Sequence, residues 1–158
     1  MSQAPVAGSA PQTLNCLLLP LTDRTLLLPS VALAELINPR PVAPRPGMPE
    51  WYLGEIDWRG LRLPLLSFET ASSGTLPAAP SAGARIAVIN AVGGRPHLKF
   101  FAVLVQGIPR PCKLDAALAS AGAPLAALEL GSAVAGGEAA RIPDLLGLEQ
   151  RMADTGLI

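Results

Sequence analysis

Between residues 50 and 69, apolar and polar positions alternate on both sides of a single break. Leu53, Glu55 and Asp57 alternate with Gly54, Ile56 and Trp58; Arg59-Gly60 interrupts the run; then Leu61, Leu63 and Leu65 alternate with Arg62 and Pro64. Period-two spacing on either side of a glycine predicts two strands joined by a tight turn. Gly60 accepts the positive φ that such a turn needs. Pro64 has no N–H to give to a ladder, so it is expected at an edge or a bulge. Arg59 is expected on the exposed rim of the hairpin.

The same reading extends over the chain. Residues 14–19 form an apolar run, a strand that turns through Leu21-Thr22-Asp23-Arg24 and pairs with residues 25–28, which Pro29 ends. Ser30 could cap a short helix over residues 31–36, where Val31, Leu33, Ala34 and Ile37 fall at helical spacing, but an irregular strand fits equally well. Residues 38–49 hold five prolines in twelve positions and read as a stiff surface connection.

Residues 70–84 carry little bulk and read as a linker, with a lobe boundary inside it. Beyond it, residues 85–92 and 99–105 form a hairpin around Gly93-Gly94, and residues 106–111, with Pro109 and Pro111, add an edge-like third stretch. Residues 114–128 are alanine-rich and expected to be partly helical, broken at Gly122 and Pro124. Residues 126–134 and 139–142 flank a last turn at Ala135-Gly136-Gly137-Glu138. Residues 144–153 read as a helix with Leu145, Leu148 and Met152 on one face.

The fold class is therefore mainly β with short helices: a flexible tail over 1–12, a first lobe over 13–69, a linker over 70–84 and a second lobe over 85–158. Arg62-Leu63-Pro64-Leu65-Leu66 in the first lobe has an echo in Arg141-Ile142-Pro143-Asp144-Leu145-Leu146 in the second.

Composition narrows the function. With 158 residues the chain is long enough to bury a core, and with 50% hydrophobic and 15% charged residues it is not a disordered one. Twelve basic and twelve acidic side chains cancel, so there is no net field for nucleic acid or an anionic membrane, and partners must be held by shape and local contacts. No apolar run reaches the roughly 20 residues that span a bilayer. The first dozen residues carry no positive charge, which argues against a secretory signal and leaves the cytoplasm as the expected compartment. Cys16 and Cys112 could pair only if the fold brought them together, and are read as reduced, small apolar residues.

Catalytic chemistry is thin. His97, the one histidine, follows a proline in a polar turn and reads as a solvated loop residue. Neither cysteine has a histidine neighbour in sequence, no cluster has metal-ligand spacing, and Gly93-Gly94 lacks the pattern of a phosphate loop. No catalytic residue, metal or cofactor is expected. Among the six aromatic residues, Trp51 reads as core and Trp58, beside Arg59, as either core or interface.

Gly54 and Ile56, then Asp57-Trp58-Arg59-Gly60, then Leu63-Pro64-Leu65-Leu66 resemble the signature of the CheW-like family. Upstream, Leu33-Ala34-Glu35-Leu36-Ile37 resembles that family's glutamate-bearing segment. The resemblance runs from about Leu14 to about Met152. It implies two small SH3-like β-barrels, no active site, and a cytoplasmic adaptor linking a methyl-accepting chemoreceptor to the regulatory domain of a sensor histidine kinase. It also implies a partner-binding surface at Glu35, Gly54, Asp57, Trp58, Arg59 and Gly60, with Glu35 and Arg59 paired. One departure stands out: Gln106 occupies the position where the family often has an acid. Proline-heavy connections fit a divergent member, for which an accessory coupler in a pilus-driven twitching-motility system is one home. The alternative left open is a small structural or ligand-binding β-barrel outside signalling.

Overall fold

Among the described residues, ten strands form two five-stranded sheets with the same internal plan. In this computed structural model residues 13–77, 79–115, 122 and 124–156 are described. The strands are β1 Thr13–Pro20, β2 Thr25–Pro29, β3 Leu33–Ile37, β4 Tyr52–Trp58, β5 Leu61–Leu66, β6 Arg85–Asn90, β7 Phe100–Val105, β8 Arg110–Asp115, β9 Glu129–Ala135 and β10 Glu138–Pro143. Two helices, α1 Phe68–Ser73 and α2 Leu145–Asp154, follow β5 and β10. One sheet runs β8-β1-β2-β10-β9 and the other β3-β6-β7-β5-β4.

Neighbouring strands are antiparallel except for β10 with β2 and β5 with β7. In each sheet the returning strand of a hairpin makes that parallel contact and then leads into a capped helix. Ser67 caps α1 by accepting from the Thr70 N–H, and Asp144 caps α2 by accepting from the Gly147 N–H. The echo between residues 62–66 and 141–146 is thus a structural equivalence.

The inner strands β1, β2, β6 and β7 are apolar on both faces because both faces are covered. Along β6, Ala87 and Ile89 enter a core shared by the two sheets, while Ile86 and Val88 enter a second core belonging to their own sheet. Along β1 and β2, Leu19, Leu26 and Leu28 join the shared core, while Cys16, Leu18 and Leu27 pack with Ala133, Ala135 and Ala140 in a third. Phe68 of α1 and Leu148 and Met152 of α2 fill the shared core. Burying a side chain of that size contributes about 1.5–3 kcal/mol.

Several expectations change. The lobe boundary does not fall in 70–84: β1 and β2 belong to one sheet and β3–β7 to the other, with β8–β10 returning to the first. The start of that supposed linker is helix α1, ended by Gly74 at φ 73°. The third stretch of the second lobe moves to residues 110–115 and pairs with β1, although it is an edge strand, as its Pro111 requires. Pro64 lies on an inner strand instead of an edge. Its missing N–H is tolerated because the β5–β7 ladder starts at Leu65, and Glu55 opposite it turns its own N–H and C=O toward Ala43. Residues 30–32 form a 3-10 turn without a side-chain cap, and the strand option holds from Leu33 onward. The tail 1–12 lies outside the described residues, as does most of the helix expected in 114–128; Leu114 and Asp115 end β8, and no helix runs through 124–128.

Candidate functional site

β3 and β4 are the two ends of their sheet, and the candidate residues sit where those ends meet. The β4–β5 turn is built from Arg59 at φ 49° and Gly60 at φ 76°, the two left-handed residues of a type I′ hairpin. Gly60 takes this conformation freely, whereas a side chain there costs roughly 1–2 kcal/mol. Arg59 bears that strain while making a specific set of contacts. Its Nε and Nη2 both approach Glu35 Oε1, at 3.1 and 3.0 Å, and its guanidinium lies 5.1 Å from the centre of the Trp58 ring. Trp58 Nε1 donates to the same Glu35 oxygen at 2.9 Å.

Three donors on one carboxylate oxygen hold the charged form. The Trp58 hydrogen bond first, then Arg59, then the more distant Arg40 charge, set the Glu35 carboxyl below its ordinary value. Behind it, Trp58 meets Phe100 edge to face at 4.9 Å. Beside it, Arg40 donates to the Asp57 carbonyl at 2.8 Å, and Ala43 exchanges both backbone bonds with Glu55. The proline-rich connection is therefore stitched along the outside of β4, and Glu35 and Arg59 clasp β3 to β4 at its end.

The six expected site residues divide by exposure. Arg59, Asp57 and Glu35 present side chains that are 69%, 78% and 37% exposed, and Gly60 is open. Trp58 is only 6% exposed, so the interface reading of its ring is corrected: its indole packs in the core, giving its N–H to Glu35 and a ring face to the Arg59 guanidinium. Gly54 is buried too. A Cβ on it would lie 2.5 Å from the Ala43 carbonyl oxygen and from a Val42 methyl, so its absent side chain admits the proline-rich segment and leaves no surface for a partner. Trp51 is half-buried against the shared core and Tyr52 lies within it.

Arg40 and Arg62, neither of them among the expected site residues, ring the same rim. Arg62 reaches Asp57 at 3.3 Å, two strand positions beyond the turn. Next to the rim lies an open cleft of about 540 Å³, whose lining includes Arg45, Leu61, Arg62, His97 and Lys99. Tyr52 donates to Glu55 there, and Arg45 pairs with the same carboxylate at 2.9 Å. Gln106 accepts from Ser81 twice, at its side-chain oxygen from the Ser81 N–H and at its carbonyl from the Ser81 hydroxyl. Among the described residues no group of three or more His, Cys, Asp or Glu is placed to hold a metal ion, and no helix is long and apolar enough to cross a membrane.

A family model described as the CheW-like domain matches residues 15–151. The chain belongs to the CheW-like domain family. Of solved structures, the scaffolding protein TtCheW from Thermoanaerobacter tengcongensis superposes with a TM-score of 0.70 over 87% of this chain and 88% of that one, at 18% identity. Among curated proteins none matches. The two five-stranded sheets are the two SH3-like lobes of a CheW-like domain, with strands exchanged between the halves of the chain.

Proposed function

We propose that this CheW-like domain is a non-catalytic adaptor that couples a methyl-accepting chemoreceptor to the regulatory domain of a sensor histidine kinase. The observation that carries the reading is Arg59. A strained, largely exposed arginine is held in place by Glu35 and by the Trp58 ring, at the rim of a domain whose structural relative is titled a scaffolding protein. Strain of this kind persists where a side chain is needed.

Arg59, Asp57, Glu35 and Gly60 form the docking surface, and Trp58 and Gly54 support it from beneath. The adaptor works by geometry. It fixes the kinase domain beside the receptor tip, so that a receptor movement alters kinase activity through the shared contacts. Its place is the cytoplasm, and a pilus-driven motility system is the home we assign it.

The test is a pull-down with the full chain from a lysate of a bacterium carrying both chemosensory classes, followed by titration of the purified partners. Recovery of a histidine kinase and a methyl-accepting receptor is expected, with a pilus-associated pair in excess. Recovery of neither, with the purified kinase domain and receptor tip showing no saturable binding, defeats the adaptor reading. A flagellar pair in excess keeps the adaptor and removes the pilus assignment.

A further inference from the structure

The two cysteines, far apart in sequence, lie directly opposite one another in the β1–β8 ladder, in register as Cys16↔Cys112. Both thiols are free. They point to the same side of the sheet: Cys16 is part of the cluster with Leu18, Leu27, Ala133, Ala135 and Ala140, and Cys112 packs against it. Opposed residues of an antiparallel pair have Cβ atoms about 4.5–5.5 Å apart. A disulfide takes about 3.5–4.5 Å between Cβ atoms and about 4.4–6.8 Å between Cα atoms, a range that includes both antiparallel spacings. An approach of about 1 Å therefore closes the bond. Among the described residues β8 is an edge strand, with no strand on its far side to resist that small shift.

We propose that Cys16 and Cys112 are a redox site, forming a reversible cross-strand disulfide when the protein meets a peroxide. Access is uneven, and this sets the order of events. Cys16 is 2% exposed, whereas Cys112 is partly open to solvent beneath a surface cavity of about 370 Å³ lined by Asn15, Cys16, Ser30, Pro111, Cys112 and Lys113. Burial first, then the neighbouring Cys112, pushes the Cys16 thiol above its ordinary value, so it is the poorer first nucleophile.

Cys112 releases its proton to solvent and attacks one peroxide oxygen. The O–O bond breaks, the departing oxygen leaves as water after taking up a proton, and Cys112 becomes a sulfenic acid. The Cys16 sulfur then attacks the Cys112 sulfur, the S–O bond breaks, and the hydroxyl leaves with the Cys16 proton as a second water. Two thiols lose two electrons, and one peroxide is reduced to two waters. The product ties the edge strand β8 to β1 and closes a loop from residue 16 to residue 112, the long-loop case in which a cross-link restrains the unfolded chain most.

The experiment treats the reduced full chain with hydrogen peroxide and follows thiol count, intact mass, non-reducing electrophoresis and melting temperature. Both thiols should disappear together with the loss of two hydrogens in mass. The product should be monomeric, reversed by dithiothreitol, and should melt about 5–10 °C above the reduced form. Cys112→Ser should leave Cys16 unreactive in the folded protein, its circular dichroism showing that the fold is kept. The proposal is overturned if both thiols persist, if Cys112 gains oxygen while Cys16 stays free, or if the main product is a disulfide-linked dimer. The wild-type arms decide the matter even where a serine variant does not fold.

Discussion

The two sheets each carry a hairpin in the same topological place, β4–β5 in one and β9–β10 in the other, and each closes in a pair of left-handed residues. In β9–β10 these are Gly136 and Gly137, at φ 58° and 82°; in β4–β5 they are Arg59 and Gly60. Glycine adopts this conformation without steric cost. The chain has solved the same turn twice and spent strain on only one of them. The hairpins also differ in where their ion pairs lie. Glu129, at the start of β9, is 2% exposed and receives Arg24 at 2.8 Å and Arg141 at 2.7 Å, whereas Glu35 and Arg59 stand on the open rim. The same two residue types form buried pairs in one hairpin and an exposed pair in the other.

Removing a buried partner gives the largest effect. In Glu129→Ala, Arg24 loses a partner in a site where it is itself only 9% exposed, and the Ala126 N–H loses its acceptor. Breaking a buried pair in this way costs about 3–5 kcal/mol. Chemical denaturation should show a loss of that size, and a loss under about 1 kcal/mol would mean that Ser72, Ser73 and Asp23, which also bind Arg24, suffice for it.

Second in size is Gly54→Ala. The new methyl meets the Ala43 carbonyl at 2.5 Å and the backbone is held at φ 142°, so a cost of about 2 kcal/mol or more is expected. The damage should be local to the proline-rich segment, seen as faster amide exchange at Ala43 and Glu55. An unchanged melting temperature would show that the segment lifts away freely and that the clasp does not depend on it.

Much of this was legible in the pattern of the chain. The alternation around Arg59-Gly60 located β4, its turn and β5, and Leu145, Leu148 and Met152 located α2, because period and turn chemistry are local properties. Strand partnership is not local. β8 continues from β7 in sequence yet joins β1, and nothing in the periodicity of residues 106–115 distinguishes those neighbours. Buried charge was equally hidden, since a glutamate on a strand or helix normally reads as a solvated position. Glu149 is the instructive case. It stands four residues after Leu145, on the buried stripe of α2, where it is fully buried and accepts from the Val92 and Gly93 N–H groups at 2.7 and 3.0 Å. Its place on that stripe was the available signal. The pairing of Glu35 with Arg59 came from family resemblance, because their spacing of 24 residues matches no helical or strand period.

Substitution at the rim should separate the two hairpins most cleanly. Arg59→Gly makes the first turn resemble the second. It removes the strain together with an exposed ion pair that contributes about 0–1 kcal/mol, so stability should stay within about 1 kcal/mol of the native value. Arg59→Ala keeps part of the strain and should fall slightly below it. Binding should respond far more: loss of an interface arginine costs about 2 kcal/mol, roughly a thirtyfold rise in Kd for the kinase domain or the receptor tip. Arg62→Ala, on the same rim but paired with Asp57, is the control and should leave affinity nearly unchanged. Unfolding of either Arg59 variant would assign the residue to the fold, and unchanged affinity for both partners would remove it from the docking surface.

The smallest effect expected is one of pH, and its sign follows from the clasp. The Trp58 hydrogen bond and the Arg59 and Arg40 charges favour ionised Glu35, so its folded pKa lies below the unfolded one. A depressed carboxyl contributes stability that is complete above the ordinary glutamate value of 4.5 and fades as pH falls through the lowered folded value. Asp23, lowered mainly by its hydrogen bond from Arg24, acts in the same direction, so the acid limb of the wild type alone does not isolate Glu35. Subtraction of Glu35→Gln does. The amide keeps an oxygen that can accept from Trp58 and Arg59 but cannot ionise, so wild type should be the more stable near neutrality and the difference should close as pH drops below 4.5. A difference that stays constant across the acid range would mean that the clasp is held by hydrogen bonding alone, with the carboxylate charge directed outward to whatever docks there.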